Sequence, residues 1–254
     1  MQAGARKRTP ERSRAGTRHP SSELEGQVIG GWRLDAAIDA RGRLWRATNG
    51  ERRAAVKIGW PASIDTEYRV LRSLQHPHVV RAFDCVPGPD LSYLVLEDLP
   101  GGDLVSLAGE SPDAWLGAIA ILIDTLAYLH RRGLAHRDLK ARNVLFDAGD
   151  RLCLIDFASA CRFGSRWTAA GATPEATLPG RGADPVSPAD DVYALACLLY
   201  EMFHRGPPGR VARRPVAAVY SPLADLDQYF VAGVHEQATV AHFFTVKAHR
   251  ALFH

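Results

Sequence analysis

The run His136-Arg137-Asp138-Leu139-Lys140-Ala141-Arg142-Asn143 constrains this chain more than any other stretch. It places an acid, a lysine and an amide in one short loop. The carboxylate can accept a proton, the ammonium can offset anionic charge, and the amide oxygen can hold a hard cation. Just after it, residues 144–146 and 152–155 read as strands flanking the turn Asp147-Ala148-Gly149-Asp150. The midpoint between positions 143 and 156 falls inside that turn, so Asn143 and Asp156 are expected side by side at the hairpin's open end. An amide and a carboxylate placed together there suit Mg²⁺.

A second pair of charges is expected upstream. Ala55-Val56-Lys57-Ile58 sets one lysine in an apolar strand, where an unpaired ammonium is costly. Residues 63–75 read as a short helix stopped at His76-Pro77, and Glu67 shares its inward stripe with Leu71 and Leu74. Pairing Lys57 with Glu67 satisfies both charges. The stretch 28–58 reads as strands broken at Ala40-Arg41-Gly42 and Asn49-Gly50, and residues 93–96 as a buried strand. Two longer helices follow, one opening at Ser111-Pro112-Asp113 and closing at Gly133, the other opening at Ser187-Pro188. Strands first and helices second predict an α+β fold in two lobes.

The loop at 136–143 closely resembles the catalytic loop of eukaryotic-type (Hanks-type) serine/threonine protein kinases. The resemblance implies Asp138 as catalytic base, Lys140 as phosphoryl stabiliser, and Asn143 and Asp156 as Mg²⁺ ligands. It implies that Lys57, held by Glu67, grips ATP, and that Gly42, Leu44, Ala55, Leu96, Glu97, Leu99 and Asp103 line the nucleotide, the strand and hinge over 94–99 through backbone groups, with Leu96 as gatekeeper. Asp191 matches the buried helix acid that anchors the catalytic loop. Thr173 matches the threonine that bridges the catalytic Asp and Lys, in a segment running to Gly180. Arg137 is expected to pair with a phosphate on that segment, with Thr168 the first candidate and Ser165 the second. Lys140, two residues after the acid, favours Ser/Thr acceptors.

Several positions depart from the pattern. Aligned through Leu44 and Ala47, the three glycine-rich-loop positions read Ala37, Asp39 and Gly42, and Asp39 is expected to put a negative charge where phosphates would lie. Ala158 replaces the glycine after Asp156-Phe157, Gly180 replaces a glutamate, and only ten residues separate Lys57 from Glu67. These departures suit a pseudokinase, a nucleotide-responsive binding module. The complete set Lys57, Glu67, Asp138, Asn143 and Asp156 favours an active enzyme, and Lys140 argues against a small-molecule phosphotransferase. Loss of the Gly180 carboxylate together with a short tail is expected to expose apolar surface around Phe230, Phe243, Phe244 and Phe253, favouring self-association or a regulatory protein partner.

Charge and composition bound the rest. Residues 1–22 hold six basic residues and one acid, while the remainder carries 25 basic against 27 acidic, which does not suit a nucleic-acid-binding body. A basic disordered tail over 1–26 is expected, followed by a kinase domain over 27–254, with an N-lobe over 27–99 and a C-lobe over 100–254. Of 31 basic residues only Lys7, Lys57, Lys140 and Lys247 are lysines, an arginine bias that suggests a GC-rich, bacterial-like source. No apolar run reaches the ~20 residues of a membrane span, and the start of the chain lacks an apolar leader. Four cysteines without a Cys-x-x-Cys pair suggest reduced thiols and a cytoplasmic protein.

Overall fold

The computed structural model describes residues 24–109, 112–168, 177 and 184–204. Residues 1–23 of the expected tail, Thr173, Gly180 and the phenylalanines from Phe230 onward lie outside the described residues, while the end of that tail is ordered, with the Gly26 N–H donating to the Leu34 carbonyl at 2.8 Å.

Six strands build one antiparallel sheet: β1 (Val28–Ile29), β2 (Trp32–Ala37), β3 (Leu44–Asn49), β4 (Arg52–Gly59), β5 (Ala82–Val86) and β6 (Ser92–Glu97), in the order β1-β2-β3-β4-β6-β5. Alternation places Trp45, Ala47, Ala54, Val56 and Val95 in one small core with Trp32 and Leu34. The opposite face carries the chemistry. Register stacks Leu44 against Lys57 and Lys57 against Leu94, and Ala55 against Leu96. These residues therefore share the face that α1 (Pro61–Arg72) covers.

Helix α1 starts two residues earlier than the periodicity suggests, because Pro61 pre-sets the first helical φ immediately after the extended Trp60. It ends at Arg72, three residues before Gln75, and the N–H of Ser73 closes it on the carbonyl of Val70. Strand β5 has no counterpart in the sequence reading. It is an edge strand without a fully buried residue, so its pattern lacks the alternation that marks β4.

Helix α2 (Pro112–Arg131) buries Leu122, Leu126 and Leu129 completely. It leads into β7 (Leu134–Ala135), a 3-10 turn at Ala141–Asn143 and the hairpin β8 (Val144–Phe146) and β9 (Leu152–Leu154). β10 (Cys161–Arg162) pairs with β7, and α3 (Pro188–His204) completes the described chain. The Asp190 carboxylate accepts the Ser187 N–H at 2.9 Å with Pro188 at the first helical position, a favourable helix start. A continuous apolar core joins α1, α2, the hairpin and α3. This is the expected α+β arrangement, a β-rich small lobe above a helical one. Among the described residues no helix is long and apolar enough to cross a membrane.

Candidate active site

The β8–β9 hairpin corrects one expectation. Val144 pairs with Leu154, so Asn143 faces Ile155, whose N–H donates to the Asn143 carbonyl at 2.9 Å. Asp156 lies one residue beyond the register that would have set it opposite Asn143. It leaves the strand through a left-handed backbone, φ +63° and ψ +70°. That conformation is uncommon for a residue with a side chain and needs support from its surroundings.

The support is Lys57. Its Nζ stands 2.7 Å from Glu67 Oε2 and 2.8 Å from Asp156 Oδ1. Glu67 is fully buried, and its second oxygen accepts the Phe157 N–H at 3.1 Å. One cation thus bridges strand β4, helix α1 and the segment after β9. The shortened approach to α1 does not prevent this, since only Trp60 lies between β4 and the helix. Burial by itself would lower the Lys57 pKa, but Glu67 and Asp156 outweigh it and raise the value above 10.5. Burial lifts the Glu67 pKa above the ordinary 4.5, and Lys57 only partly offsets it. For Asp156 burial also opposes ionisation, yet Lys57 prevails and the pKa falls below 3.8. Asp156 is therefore a carboxylate at neutral pH, with Oδ1 on the lysine.

Asp138 is buried, and its Oδ2 accepts from Lys140 Nζ at 2.7 Å and from Asn143 Nδ2 at 2.9 Å. The same Asn143 nitrogen donates to the Asp138 carbonyl at 2.7 Å, so the amide oxygen points the other way. The acid, lysine and amide of the loop are one hydrogen-bonded cluster.

Beneath them lies Asp191, with no exposed surface. It accepts the N–H of His136 at 2.9 Å and that of Arg137 at 2.8 Å, and His130 Nε2 stands 2.8 Å from its Oδ2. Arg137 also has a positive φ, +68°, and this carboxylate braces that turn from below. His136 Nε2 donates to the Ile155 carbonyl at 3.0 Å, and its ring packs edge-on to the buried Phe157 at 4.7 Å. Ala158 lies in a 3-10 turn and is not among the positive-φ residues, so alanine replaces glycine here without backbone strain. His130 was not legible in the sequence as a site residue. Its place in the last turn of α2 is that of an ordinary helix-ending basic residue, and only the fold brings it to Asp191 of α3.

Three donors converging on one buried carboxylate make Asp191 a sensitive position. For Asp191→Ala we expect a loss of about 3–5 kcal/mol, since each stranded buried donor costs about 1–3 kcal/mol. Thermal melts should show it as a drop on the order of 10 °C; a melt unchanged within 2–3 °C, roughly the shift from one kcal/mol, would contradict this account. Burial opposes ionisation of Asp191, but the His130 hydrogen bond, the neighbouring histidines and the Arg137 N–H hold its pKa below 3.8. A depressed carboxyl pKa stabilises the fold above pH 3.8 and is lost as pH falls through the lower folded value. Asp156 shares that window, so Asp191→Asn should shorten the acid-unfolding limb below pH 4 without abolishing it.

Glu97, Asp103 and Asp39 each have defined partners. The Glu97 carboxylate faces away from the sheet's inner face. It pairs with Arg151 at 2.7 Å and accepts the Arg81 N–H at 2.7 Å, while its own N–H donates to the Arg81 carbonyl. The Asp103 carbonyl accepts the Ser106 N–H at 3.0 Å and hydroxyl at 2.6 Å. The Asp39 Oδ1 accepts the N–H groups of Arg43 and Leu44, both at 2.8 Å. Leu96 is buried, and Ala55 and Leu99 pack partly buried against the large core. Gly42 has φ +64° in the β2–β3 turn. Thr168 is exposed and its carbonyl accepts from Arg137 Nη2; Ser165 is half-buried, with its carbonyl accepting the Val186 N–H at 2.9 Å.

A family model described as "Protein kinase domain" matches residues 48–221. The serine/threonine-protein kinase PKH3 of Eremothecium gossypii is 32% identical over 155 residues, covering 56% of this chain and 21% of that protein. CBL-interacting protein kinase 4 of Oryza sativa subsp. japonica is 35% identical over 153 residues, 54% of this chain and 34% of that protein. The human cAMP-dependent protein kinase catalytic subunit PRKX is 33% identical over 164 residues, 60% of this chain and 44% of its own length. The aligned stretches thus span less than half of each of these relatives. The family match covers more than half of the chain and takes in every catalytic-loop residue placed above; the chain belongs to the protein kinase domain family.

Proposed function

We propose that this chain is an ATP-dependent protein kinase that transfers the γ-phosphate to serine and threonine hydroxyls of proteins. The observation that carries the reading is the double closure of the site. Lys57 is held between Glu67 and Asp156, while Asp138, Lys140 and Asn143 form one cluster in the loop below. Relatives named as serine/threonine kinases support the acceptor class, as does Lys140.

In this reading the Asp138 carboxylate takes the proton of the acceptor hydroxyl as the oxygen attacks, and Lys140 offsets the charge moving with the phosphoryl group. Lys57, kept cationic by its two carboxylates, orients the phosphates. The donor set fits Mg²⁺: Asn143 presents an amide oxygen because its nitrogen is spent on Asp138, and Asp156 retains Oδ2 because Oδ1 is on Lys57. Bound there, Mg²⁺ would neutralise phosphate charge. Gly42, Leu44, Ala55, Leu96 and Leu99 line the nucleotide, and Glu97 contributes through backbone alone. Thr168, exposed and next to Arg137, is the proposed phosphorylation site. Division into lobes at residue 99, a cytoplasmic location and a protein partner on the lower lobe belong to the same proposal.

The test is acceptor choice. Given Mg²⁺ and labelled ATP, matched peptides differing only in Ser, Thr or Tyr should be labelled on Ser and Thr. Lys140→Ala should lower that rate at least tenfold with little change in nucleotide affinity. Equal labelling of tyrosine would refute the acceptor assignment. The pseudokinase reading is favoured by one observation, the Asp39-filled turn, and predicts nucleotide binding without any labelled acceptor.

A further inference from the structure

Arg151, the residue before β9, holds three segments at once. Its Nε donates to Asp147 Oδ2 at 2.8 Å in the hairpin turn, and its Nη2 to Glu97 Oε2 at 2.7 Å at the end of β6. Its Nη1 donates to the Pro77 carbonyl after α1 and stands 2.9 Å from Cys153 Sγ. Glu97 is fixed in turn, its Oε1 accepting the Arg81 N–H at 2.7 Å. The Glu97 and Arg151 side chains are 12% and 31% exposed, so solvent screens this pair less than a surface ion pair.

Among the described residues, two ion pairs join the six-stranded sheet to the β8–β9 hairpin and its continuation, Lys57–Asp156 and Glu97–Arg151. They sit at opposite ends of the same elements. Glu97 is the register partner of Ala54, three residues from Lys57 on β4, while Arg151 precedes β9 and Asp156 follows it. Past Glu97 the chain is clamped to the hairpin again. The Gly101 N–H donates to the Phe146 carbonyl at 2.8 Å, and a Cβ at Gly101 would stand 2.5 Å from the Asp147 carbonyl. Only Asp98, Leu99 and Pro100 lie between the Glu97 tie and this clamp.

The two ties respond differently to a nucleotide. In the kinase reading Lys57 turns to the phosphates and Asp156 to the divalent ion, so the Lys57–Asp156 tie is drawn upon. The Glu97–Arg151 tie is not, because both Glu97 oxygens are committed to Arg81 and Arg151. We propose that Arg151 is a positioning residue for nucleotide binding, the tie that keeps sheet and hairpin in place when phosphates take up Lys57. This rests on the kinase reading of the site.

The experiment measures Mg·ATP and adenosine affinities of the full chain by calorimetry for wild type, Arg151→Ala, Glu97→Ala, the double variant and Asp147→Ala. Arg151→Ala and Glu97→Ala should each weaken Mg·ATP about tenfold, roughly one charge-assisted hydrogen bond. The double variant should lie within about twofold of either, since both act through one contact. Adenosine leaves the Lys57–Asp156 tie in place, so its affinity in Arg151→Ala should stay within about threefold of wild type. Single-turnover transfer by Arg151→Ala at saturating Mg·ATP should also stay within about threefold. Asp147→Ala loosens the hairpin turn but leaves Glu97 and Arg151 able to pair, so it should melt lower with Mg·ATP affinity within about threefold of wild type. Should Arg151→Ala not fold, Glu97→Ala beside Asp147→Ala carries the same comparison. Losses that multiply in the double variant would overturn the proposal. So would adenosine weakened as much as Mg·ATP, or Asp147→Ala matching Arg151→Ala. If wild type binds Mg·ATP and Arg151→Ala binds it equally, this inference falls and the kinase reading stands; if no form binds Mg·ATP, both fall.

Discussion

Asp138→Asn should reduce phosphoryl transfer by about two to four orders of magnitude, the range a positioned general base contributes. The geometry makes this a clean test. Asp138 Oδ2 accepts from both Lys140 and Asn143, and asparagine can keep an oxygen in that place. The substitution therefore removes the proton acceptor while leaving the loop nearly intact, and Mg·ATP affinity should stay within about threefold. Single-turnover transfer measured beside nucleotide titration separates the two effects. Transfer reduced less than about tenfold would mean that another group, or water, takes the proton.

Lys57→Met should cut transfer at least about a hundredfold and destabilise the chain together. Lys57 neutralises Glu67, which is fully buried, and Asp156, which is about a third exposed at 35%. Removing one partner of a buried pair costs about 3–5 kcal/mol; Lys57 retains 27% side-chain exposure, so the lower end, about 3 kcal/mol, is expected. Two facing carboxylates would remain, and Asp156 would lose the cation that holds its left-handed turn. Phosphate orientation would go with it, at a cost of at least a hundredfold in rate. The pH dependence carries a sign. The Glu67 pKa is already above 4.5 and must rise further without Lys57. A raised carboxyl pKa means that the folded state holds the proton more tightly, so the variant's stability falls as pH rises from 4.5 through the folded value. The deficit relative to wild type should be smaller at pH 5 than at pH 8. A variant as stable as wild type at both would show that the triad contributes nothing to the fold.

What the sequence revealed follows from how local each signal is. The loop at 136–143 is contiguous, so its acid, lysine and amide were legible before any fold was known. Lys57 and Glu67 could be paired because each is an ionic residue on an apolar face, and such residues need partners wherever they fold. Helices α2 and α3 carry long apolar stripes and proline starts, and both were found. The misses are tertiary. Strand β5 buries none of its residues fully because it borders the sheet. The hairpin register was displaced by one residue, because counting to the middle of a turn cannot tell which residues of Asp147-Ala148-Gly149-Asp150 close it. The actual closure uses the Asp147 carboxylate, which accepts the N–H groups of Gly149 at 2.8 Å and Arg151 at 3.0 Å.

Asp39 shows the same limit from another side. In sequence it is a negative charge in a loop that ought to attract phosphate, and repulsion is the obvious reading. In the fold it is the hydrogen-bond acceptor of the turn, facing inward on two of its own amides. The Glu97 carboxylate, on a hinge expected to act through its backbone, pairs with Arg151, a residue 54 positions away. The signs of these charges were visible; their directions depended on which backbone donors and distant partners the fold brought within reach.

On the proposed reading, the closed Lys57–Glu67–Asp156 triad and the Asp138 cluster make a working phosphotransferase and not only a nucleotide-binding module. The most direct measurement incubates the full chain with Mg²⁺ and γ-labelled ATP and follows label into protein. The account predicts label on serine and threonine in wild type, reduced at least a hundredfold in Asp138→Asn at equal nucleotide occupancy. Wild type that binds Mg·ATP yet transfers no more label than Asp138→Asn would contradict it.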